Sequence, residues 1–361
     1  MKPNLEGKKV FVYGLGKSGL AAARLLLAQG ARVTGVDRKR EDELDQSVAS
    51  LRGAGLSLAL GPIGDGLLAS ADLLVVSPGV PLAAAEIQRA KAAGVKIWGE
   101  VELASRFIEG PMVGITGTNG KSTTTALAGE LFASAGRRAF VGGNLGRPLS
   151  EAALEPRPYE AYVIELSSFQ LEGIESLRLN CAALLNLSPD HLDRYPSHAD
   201  YGAAKARIFL NQRTDDAAVV NADHPSVVSL ASASRARLCG FSLQRDPASA
   251  SPLFRGGAVA KGSGFQVALD GKEREGYSLG NRALRGPHNL ENAMAAALLA
   301  RLSEISPQAV QRGLDAFPGL PHRLESVRTL DGVEWINDSK ATNVDSALVA
   351  LNALAGRIWL I

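Results

Sequence analysis

An apolar run, Met112-Val113-Gly114-Ile115, leads into Gly117-Thr118-Asn119-Gly120-Lys121-Ser122-Thr123, and a helical pattern follows over Thr124–Leu131. No other stretch so narrows the folds open to this chain. Strand, glycine loop, lysine-serine pair and helix, in that order, form the turn that cradles a triphosphate. The glycines let backbone N–H groups turn onto phosphate oxygens, and the helix N-terminus adds positive potential. Lys121 can reach the β- and γ-phosphates, and the Ser122 hydroxyl can ligate Mg²⁺. The strict pattern has glycine where this chain has Ile115, so the loop is a shortened variant. The plainer alternative is a turn that caps a helix.

The surrounding chain suits such a loop. Its 361 residues leave room for two or three domains, and 46% hydrophobic with 21% charged residues reads as an ordinary soluble globular protein. A net charge of +2 without a long basic run gives no reason to expect a nucleic-acid partner. The two cysteines, Cys181 and Cys239, lie far apart in no metal-like spacing, which fits a reducing cytoplasm better than a disulfide framework. Met1–Gly7 runs straight into a strand and reads as carrying no signal peptide, and alanine-rich Ala293–Ala300 is too short to span a bilayer. The expectation is a cytoplasmic, multidomain α/β protein with no membrane insertion.

Over residues 8–98, β-branched runs such as Lys9–Tyr13, Ala31–Val36 and Asp72–Val76 alternate with helical patterns. That alternation predicts parallel strands with crossover helices. A second α/β unit begins near Gly99-Glu100, with strands over Ala161–Ile164, Ala182–Asn186 and Ala217–Val220 and an antiparallel elaboration from about Ser251 to Arg285. Helices follow over His288–Arg301 and up to Phe317, and Pro318-Gly319-Leu320-Pro321 reads as a hinge. Beyond it come a strand over Val333–Asn337, a helix over Val344–Leu354 and a strand over Arg357–Ile361. The expected domains are 1–99, 100–319 and 320–361. The last is a βαβ fragment too small to bury its own core, so it is expected to be an incomplete domain and this form inactive.

Several clusters bear on chemistry. Gly14-Leu15-Gly16-Lys17-Ser18-Gly19 fits G-x-G-x-x-G after a strand, and Asp37 ends the next strand, where a dinucleotide enzyme keeps its ribose-binding acid. The same device holds any diphosphate, so NAD and a nucleotide-bearing substrate both remain open. Ser77-Pro78-Gly79 sits at a neighbouring strand end. Glu165 ends another strand, well placed to hold Mg²⁺ beside a phosphate loop. His191, in Asp190-His191-Leu192-Asp193-Arg194-Tyr195, emerges at the same sheet edge. By composition alone, Lys205 on its helix is a solvated surface lysine. Asn289 and Asn292 share a helix face and read either as N-caps or as amides reading a base. Arg323 and Asn337-Asp338-Ser339-Lys340-Ala341-Thr342-Asn343 suit phosphate and ribose contacts.

Taken together, the phosphate loop, Glu165-Leu166-Ser167-Ser168-Phe169-Gln170-Leu171, the Asp190–Tyr195 run and the Asn337–Asn343 run resemble the Mur ligases of peptidoglycan assembly from about Gly7 to Ile361. The phosphate loop is shared with folylpolyglutamate synthases, so a sister ligase or such a synthase is the nearest rival. The Lys340-Ala341-Thr342-Asn343 form looks specific to the member that adds D-glutamate. The resemblance implies three domains: a Rossmann-like N-terminal domain, a central P-loop ATPase-type domain and a C-terminal α/β domain. It implies an ATP-dependent ligase that joins D-glutamate to UDP-N-acetylmuramoyl-L-alanine through an acyl phosphate, acting as a monomer with Mg²⁺ or Mn²⁺.

Residue roles carry over on the same basis. Lys17 and Ser18 would lie near the diphosphate, Asp37 and Arg38 near uracil, and Ser77, Pro78 and Gly79 along that site. Asn144 would touch the muramoyl part, with Ser167 and Gln170 also on the substrate. Gly117, Thr118, Asn119, Gly120, Lys121, Ser122 and Thr123 would hold the ATP phosphates, and Asn289, Asn292, Arg323 and Asp338 the rest of ATP. Ser122 and Glu165 would flank one metal and His191 a second, with Lys205 carbamylated into a further ligand. Lys340 and Thr342 would face the reaction centre.

Overall fold

The computed structural model describes residues 2–64, 66–191, 193–270, 273–342, 344–354 and 356–361, and for Asp345 the backbone alone. Leu192 and Asn343, each inside a motif singled out above, lie outside the described residues. The chain divides into two compact units. One comprises Met1–Pro111, Gly142–Glu160 and Leu166–Arg178, and the other Met112–Val141, Ala161–Glu165 and Leu179–Ile361.

In the first unit, β1 (Lys9–Tyr13), β2 (Arg32–Asp37), β3 (Ser57–Leu60), β4 (Leu73–Val76) and β5 (Lys96–Gly99) form a parallel sheet in the order β3-β2-β1-β4-β5. Side chains alternate across a strand. Val10 and Val12 therefore enter one core with Leu25 and Leu26, while Phe11 and Tyr13 enter another with Ile87. Both faces are covered, which is why Leu73–Val76 is apolar without interruption. The strand order reverses between β1 and β4, so the crevice outside their carboxyl ends is where such a sheet takes a ligand.

The second unit is built on a nine-stranded sheet in the order β14-β13-β12-β11-β10-β9-β6-β8-β7. Its strands are β6 (Met112–Thr116), β7 (Ala139–Gly143), β8 (Ala161–Glu165), β9 (Cys181–Leu184), β10 (Ala217–Asn221), β11 (Arg237–Ser242), β12 (Gly256–Lys261), β13 (Gly264–Leu269) and β14 (Glu275–Ser278). The elaboration expected over Ser251–Arg285 is the antiparallel meander β12-β13-β14. The helices Lys121–Ser134, Pro287–Leu302 and Pro307–Ala316 bury Leu131, Leu298 and Val310 in one core with Val113, Val163 and Val219 of the sheet.

Two local expectations for the last forty residues fail. Glu325–Leu330 is a strand, β15, which pairs antiparallel with β16 (Val333–Asn337) across Asp331-Gly332. Both turn residues have positive φ, 49° and 78°, as the tight hairpin turn requires. The segment is thus a hairpin followed by the helix Val344–Asn352, and not a βαβ unit. Arg357–Ile361 forms no strand: the segment is exposed and joins no ladder among the described residues, and apolar sequence alone does not make a strand without a partner.

Candidate active site

The phosphate loop lies between two strand ends. Strand β6 pairs with β8 on one side, Ile115 level with Glu165, and with β9 on the other, Thr116 level with Leu184. Ile115 is fully buried within β6, so the strand continues where a strict loop would already have turned. Gly117 then makes the turn and Gly120, at φ 82°, caps the helix Lys121–Ser134. That helix has no side-chain cap, which leaves its first N–H groups available to an anion. A Cβ at Gly120 would collide with Asn292 Oδ1. The loop is fixed from β9: Asn186 accepts from Asn119 N at 2.8 Å, and Ser188 N donates to Thr118 Oγ1 at 3.1 Å.

Two lysines meet at this loop. Lys121 Nζ donates to the carbonyls of Gly117 at 3.0 Å and Thr118 at 2.8 Å, and Lys205 Nζ donates to Gly117 O at 2.8 Å. Lys205 is only 2% exposed, which corrects its reading as a surface lysine: Tyr201, four residues earlier on the helix, covers it with its ring at 4.6 Å. Burial, and then the charge of Lys121, push the Lys205 amine down to about 6. Burial also holds Lys121 below the usual lysine range, against the pull of Glu165 and Asp190.

Glu165 is buried at the tip of β8. His191 is exposed, with φ 53°, and its ring stands edge-on to Tyr201 with centroids 6.0 Å apart. Among the described residues no three His, Cys, Asp or Glu side chains group closely enough to hold a metal. Ser122, in the first turn of the helix Lys121–Ser134, and Glu165, at the tip of β8, both offer oxygen, which suits Mg²⁺. His191 and Lys205, both against Tyr201, become a second donor set for a hard cation if Lys205 carries an oxygen donor, because an ammonium cannot ligate and Mg²⁺ favours oxygen over a neutral amine.

A cavity of about 410 Å³ opens beside the loop, lined in part by Asn119, Gly120, Asn289, Asn292, Arg323 and Asp338. Asn289 and Asn292 do not act as simple caps. Asn292 Nδ2 donates to Asn289 Oδ1 at 3.0 Å, and Asn292 Oδ1 accepts from Thr124 Oγ1 at 3.1 Å, which ties two helices together at the cavity wall. Arg323 donates to Ser122 Oγ at 3.3 Å, and Asp338 Oδ1 accepts from Leu324 N at 3.0 Å. Lys340 and Thr342 are exposed and do not line the cavity. His288 and Ser346 were not legible as participants. His288 lines the cavity, and burial lowers its imidazole to about 4. Ser346 Oγ donates to Asn119 Oδ1 at 3.0 Å.

The first unit carries the other cluster. Ser77 Oγ donates to Gly14 O at 2.6 Å across the β1–β4 crevice, and Cβ atoms at Gly14 and Gly19 would clash with Ser77 and with the Gly14 carbonyl. Gly16 faces open space, so a diphosphate has room over the helix Lys17–Ala28. Asp37 is already engaged, accepting from Leu15 N at 2.7 Å and Lys39 N at 3.0 Å. Arg38 pairs with Glu86 at 2.7 Å. Pro78 and Gly79 follow Ser77 at the rim, half-buried and exposed. Lys17 Nζ donates to Gly146 O, beside exposed Asn144, and Ser18 is half-buried. Ser167 and Gln170 cap each other, Gln170 N donating to Ser167 Oγ at 3.2 Å. All the candidate substrate residues except Thr342 therefore fall in the first unit. Those for ATP and metal fall in the second.

A family model described as the Mur ligase middle domain matches residues 115–300, and one described as the Mur ligase MurD-like N-terminal domain matches residues 8–99. The chain belongs to the Mur ligase family. It is 62% identical over 358 residues to the UDP-N-acetylmuramoylalanine–D-glutamate ligase of Myxococcus xanthus (strain DK1622), covering 99% of this chain and 78% of that protein. The protein of the same name from Anaeromyxobacter dehalogenans (strain 2CP-C) is 56% identical over 364 residues, with the same coverage. The fold resembles that of a pseudomurein peptide ligase type C from Methanothermus fervidus, with a TM-score of 0.57 at 23% identity, over 97% of this chain and 78% of that one. It also resembles that of UDP-N-acetylmuramate-alanine ligase from Thermotoga maritima, with a TM-score of 0.55 at 21% identity, over 96% and 77%.

Proposed function

We propose that this protein joins D-glutamate to UDP-N-acetylmuramoyl-L-alanine at the expense of ATP, in the cytoplasm and as a monomer. The observation that carries the reading is the 62% identity, across nearly the whole chain, to a ligase named for that reaction. The described residues include no helix long and apolar enough to cross a membrane.

In this reading the L-alanine carboxylate attacks the γ-phosphoryl group of ATP, giving an acyl phosphate and ADP. The D-glutamate amine then adds to the acyl carbon, loses a proton, and phosphate leaves as the amide forms. Activation is needed because a carboxylate is a poor electrophile. Lys121 would turn from the Gly117 and Thr118 carbonyls to the transferring phosphoryl oxygens, where a preorganised cation lowers the barrier. The uncapped N–H groups of Lys121, Ser122 and Thr123 would bind the phosphates, and Asn289, Asn292, Arg323 and Asp338 the rest of the nucleotide. Ser122, Glu165, His191 and Lys205 would hold divalent metal, which when bound offsets phosphate charge.

The burial of Lys205 supports its carbamylation. A neutral amine adds CO₂ to give N–COO⁻ and a proton, and the carbamate nitrogen keeps an N–H for Gly117 O. Lys17, Ser18, Asp37, Arg38 and Ser77–Gly79 would hold the UDP end of the substrate, and Asn144, Ser167 and Gln170 its muramoyl end. Lys340 and Thr342 are assigned to the reaction centre on family resemblance. The domain division 1–99, 100–319 and 320–361 belongs to the same reading.

The test is phosphate release from ATP, with D-glutamate offered against L-glutamate, L-alanine and meso-diaminopimelate. Any release above background is expected to require both UDP-N-acetylmuramoyl-L-alanine and D-glutamate. Equal release with another amino acid would overturn the assignment.

A further inference from the structure

Residues 142–160 and 166–178 are each bounded in sequence by strands of the second unit, yet both pack with the first. Two buried carboxylates on one short helix, Glu100–Ser105, hold them there. Glu102 has no exposed surface and accepts from Glu175 N at 2.9 Å, Ser176 N at 3.0 Å, Ser176 Oγ at 2.6 Å and Leu177 N at 3.0 Å. Arg106 completes its shell at 2.7 Å. A charged carboxylate in such a shell outweighs its burial, and the Glu102 carboxyl lies below the usual range. Glu100, 1% exposed, accepts from Ser150 N at 2.6 Å. The same stretch adds Gly99 N to Gly173 O at 3.1 Å and Trp98 Nε1 to Glu175 Oε2 at 2.8 Å.

Each tethered segment carries candidate acceptor-binding residues close to its anchor. Asn144 precedes Ser150 by six residues, and Gln170 precedes Glu175 by five. We propose that Glu100 and Glu102 are positioning residues for the acceptor substrate, fixing the Asn144 and Ser167–Gln170 segments on the unit that holds its UDP end. The inference rests on the functional reading above. It predicts that acceptor affinity depends on these two acids and that ATP affinity, assigned to the second unit, does not.

The experiment is calorimetric titration of the intact chain and its variants with UDP-N-acetylmuramoyl-L-alanine and, separately, with ADP. Glu102→Gln, which puts an NH₂ among N–H donors, is expected to weaken acceptor binding about 10-fold or more and to leave ADP binding within about two-fold. Ser176→Ala should act in the same direction, by about three-fold, and decides the matter if Glu102→Gln lacks a cooperative melt. Glu100→Ala should weaken the acceptor alone, and Glu100→Gln, which keeps an accepting oxygen for Ser150 N, should recover most of the loss. Equal losses for both ligands, or unchanged acceptor affinity in folded variants, would overturn the proposal. Failure of the unmodified chain to bind the acceptor would instead overturn the functional reading, and this inference with it.

Discussion

Lys121 and Lys205 donate to the same oxygen, the carbonyl of Gly117: one opens the loop helix, and the other sits 84 residues on, in the helix His198–Ala206. Two ammonium groups on one acceptor, both largely out of water, repel each other. The arrangement favours loss of charge from one of them, and the deeper one is Lys205.

A neutral, buried amine is the form that adds CO₂. Carbon-13 NMR with labelled bicarbonate is therefore expected to show a carbamate resonance at pH 8 that strengthens with Mg²⁺ and vanishes in Lys205→Met. A spectrum unchanged by that substitution would remove Lys205 from the metal set.

Removing the other amine should strike at chemistry. Lys121→Ala is expected to lower kcat by on the order of 10²-fold, the usual loss when one preorganised charge-stabilising donor is deleted. Near-normal turnover would exclude this loop as the site of phosphoryl transfer.

The Gly14–Gly19 turn admits two ligands on sequence grounds, and thermal unfolding separates them. UDP-N-acetylmuramoyl-L-alanine at 100 times its Kd should stabilise the protein by about 2.7 kcal/mol through mass action, whereas NAD at the same concentration should not move Tm. Stabilisation by NAD instead would make the first unit a dinucleotide site.

Glu100 gives a pH signature. Burial first, and then the charge of Glu151, push its carboxyl up to about 7, against the bond from Ser150. Between its ordinary value of 4.5 and 7 the folded protein holds a proton that the unfolded chain has released. That stability is complete below 4.5 and is lost as pH rises through 7. Glu100→Gln should therefore melt close to the parent at pH 4.5 and higher than it at pH 8, by roughly 3 kcal/mol. A difference independent of pH would show that Glu100 is ionised throughout.

The glycine loop, the parallel alternation and the carboxyl-end placement of Ser77 and Glu165 were legible because each follows from local chain geometry. The β15–β16 hairpin was signalled by Asp331-Gly332 between two alternating runs, a cue easily lost after Pro318–Pro321. Glu100 and Glu102 were not legible, and Lys205 was legible only through the family resemblance, its composition alone reading as a surface lysine. A charged residue on a helix reads as solvated unless its tertiary neighbours are known, and here Gly117, Ser150 and Ser176, the partners of Lys205, Glu100 and Glu102, lie 88, 50 and 74 residues away in sequence. Arg357–Ile361 was misread for the converse reason: an apolar run states a preference for burial but not the partner that would satisfy it.

The division of the chain also bears on how such a protein can be taken apart. The backbone passes from one unit to the other at 111/112, 141/142, 160/161, 165/166 and 178/179. No single cut releases either unit whole, so neither behaves as a cassette that gene fusion could lift out and append elsewhere. A chain severed after Pro111 would lose the Asn144 and Gln170 segments, and with them the Ser150 donor of Glu100 and the Glu175–Leu177 donors of Glu102, leaving Glu102 its ion pair with Arg106. Exchange of specificity between relatives is therefore constrained to move several separated stretches at once, or to proceed residue by residue within them.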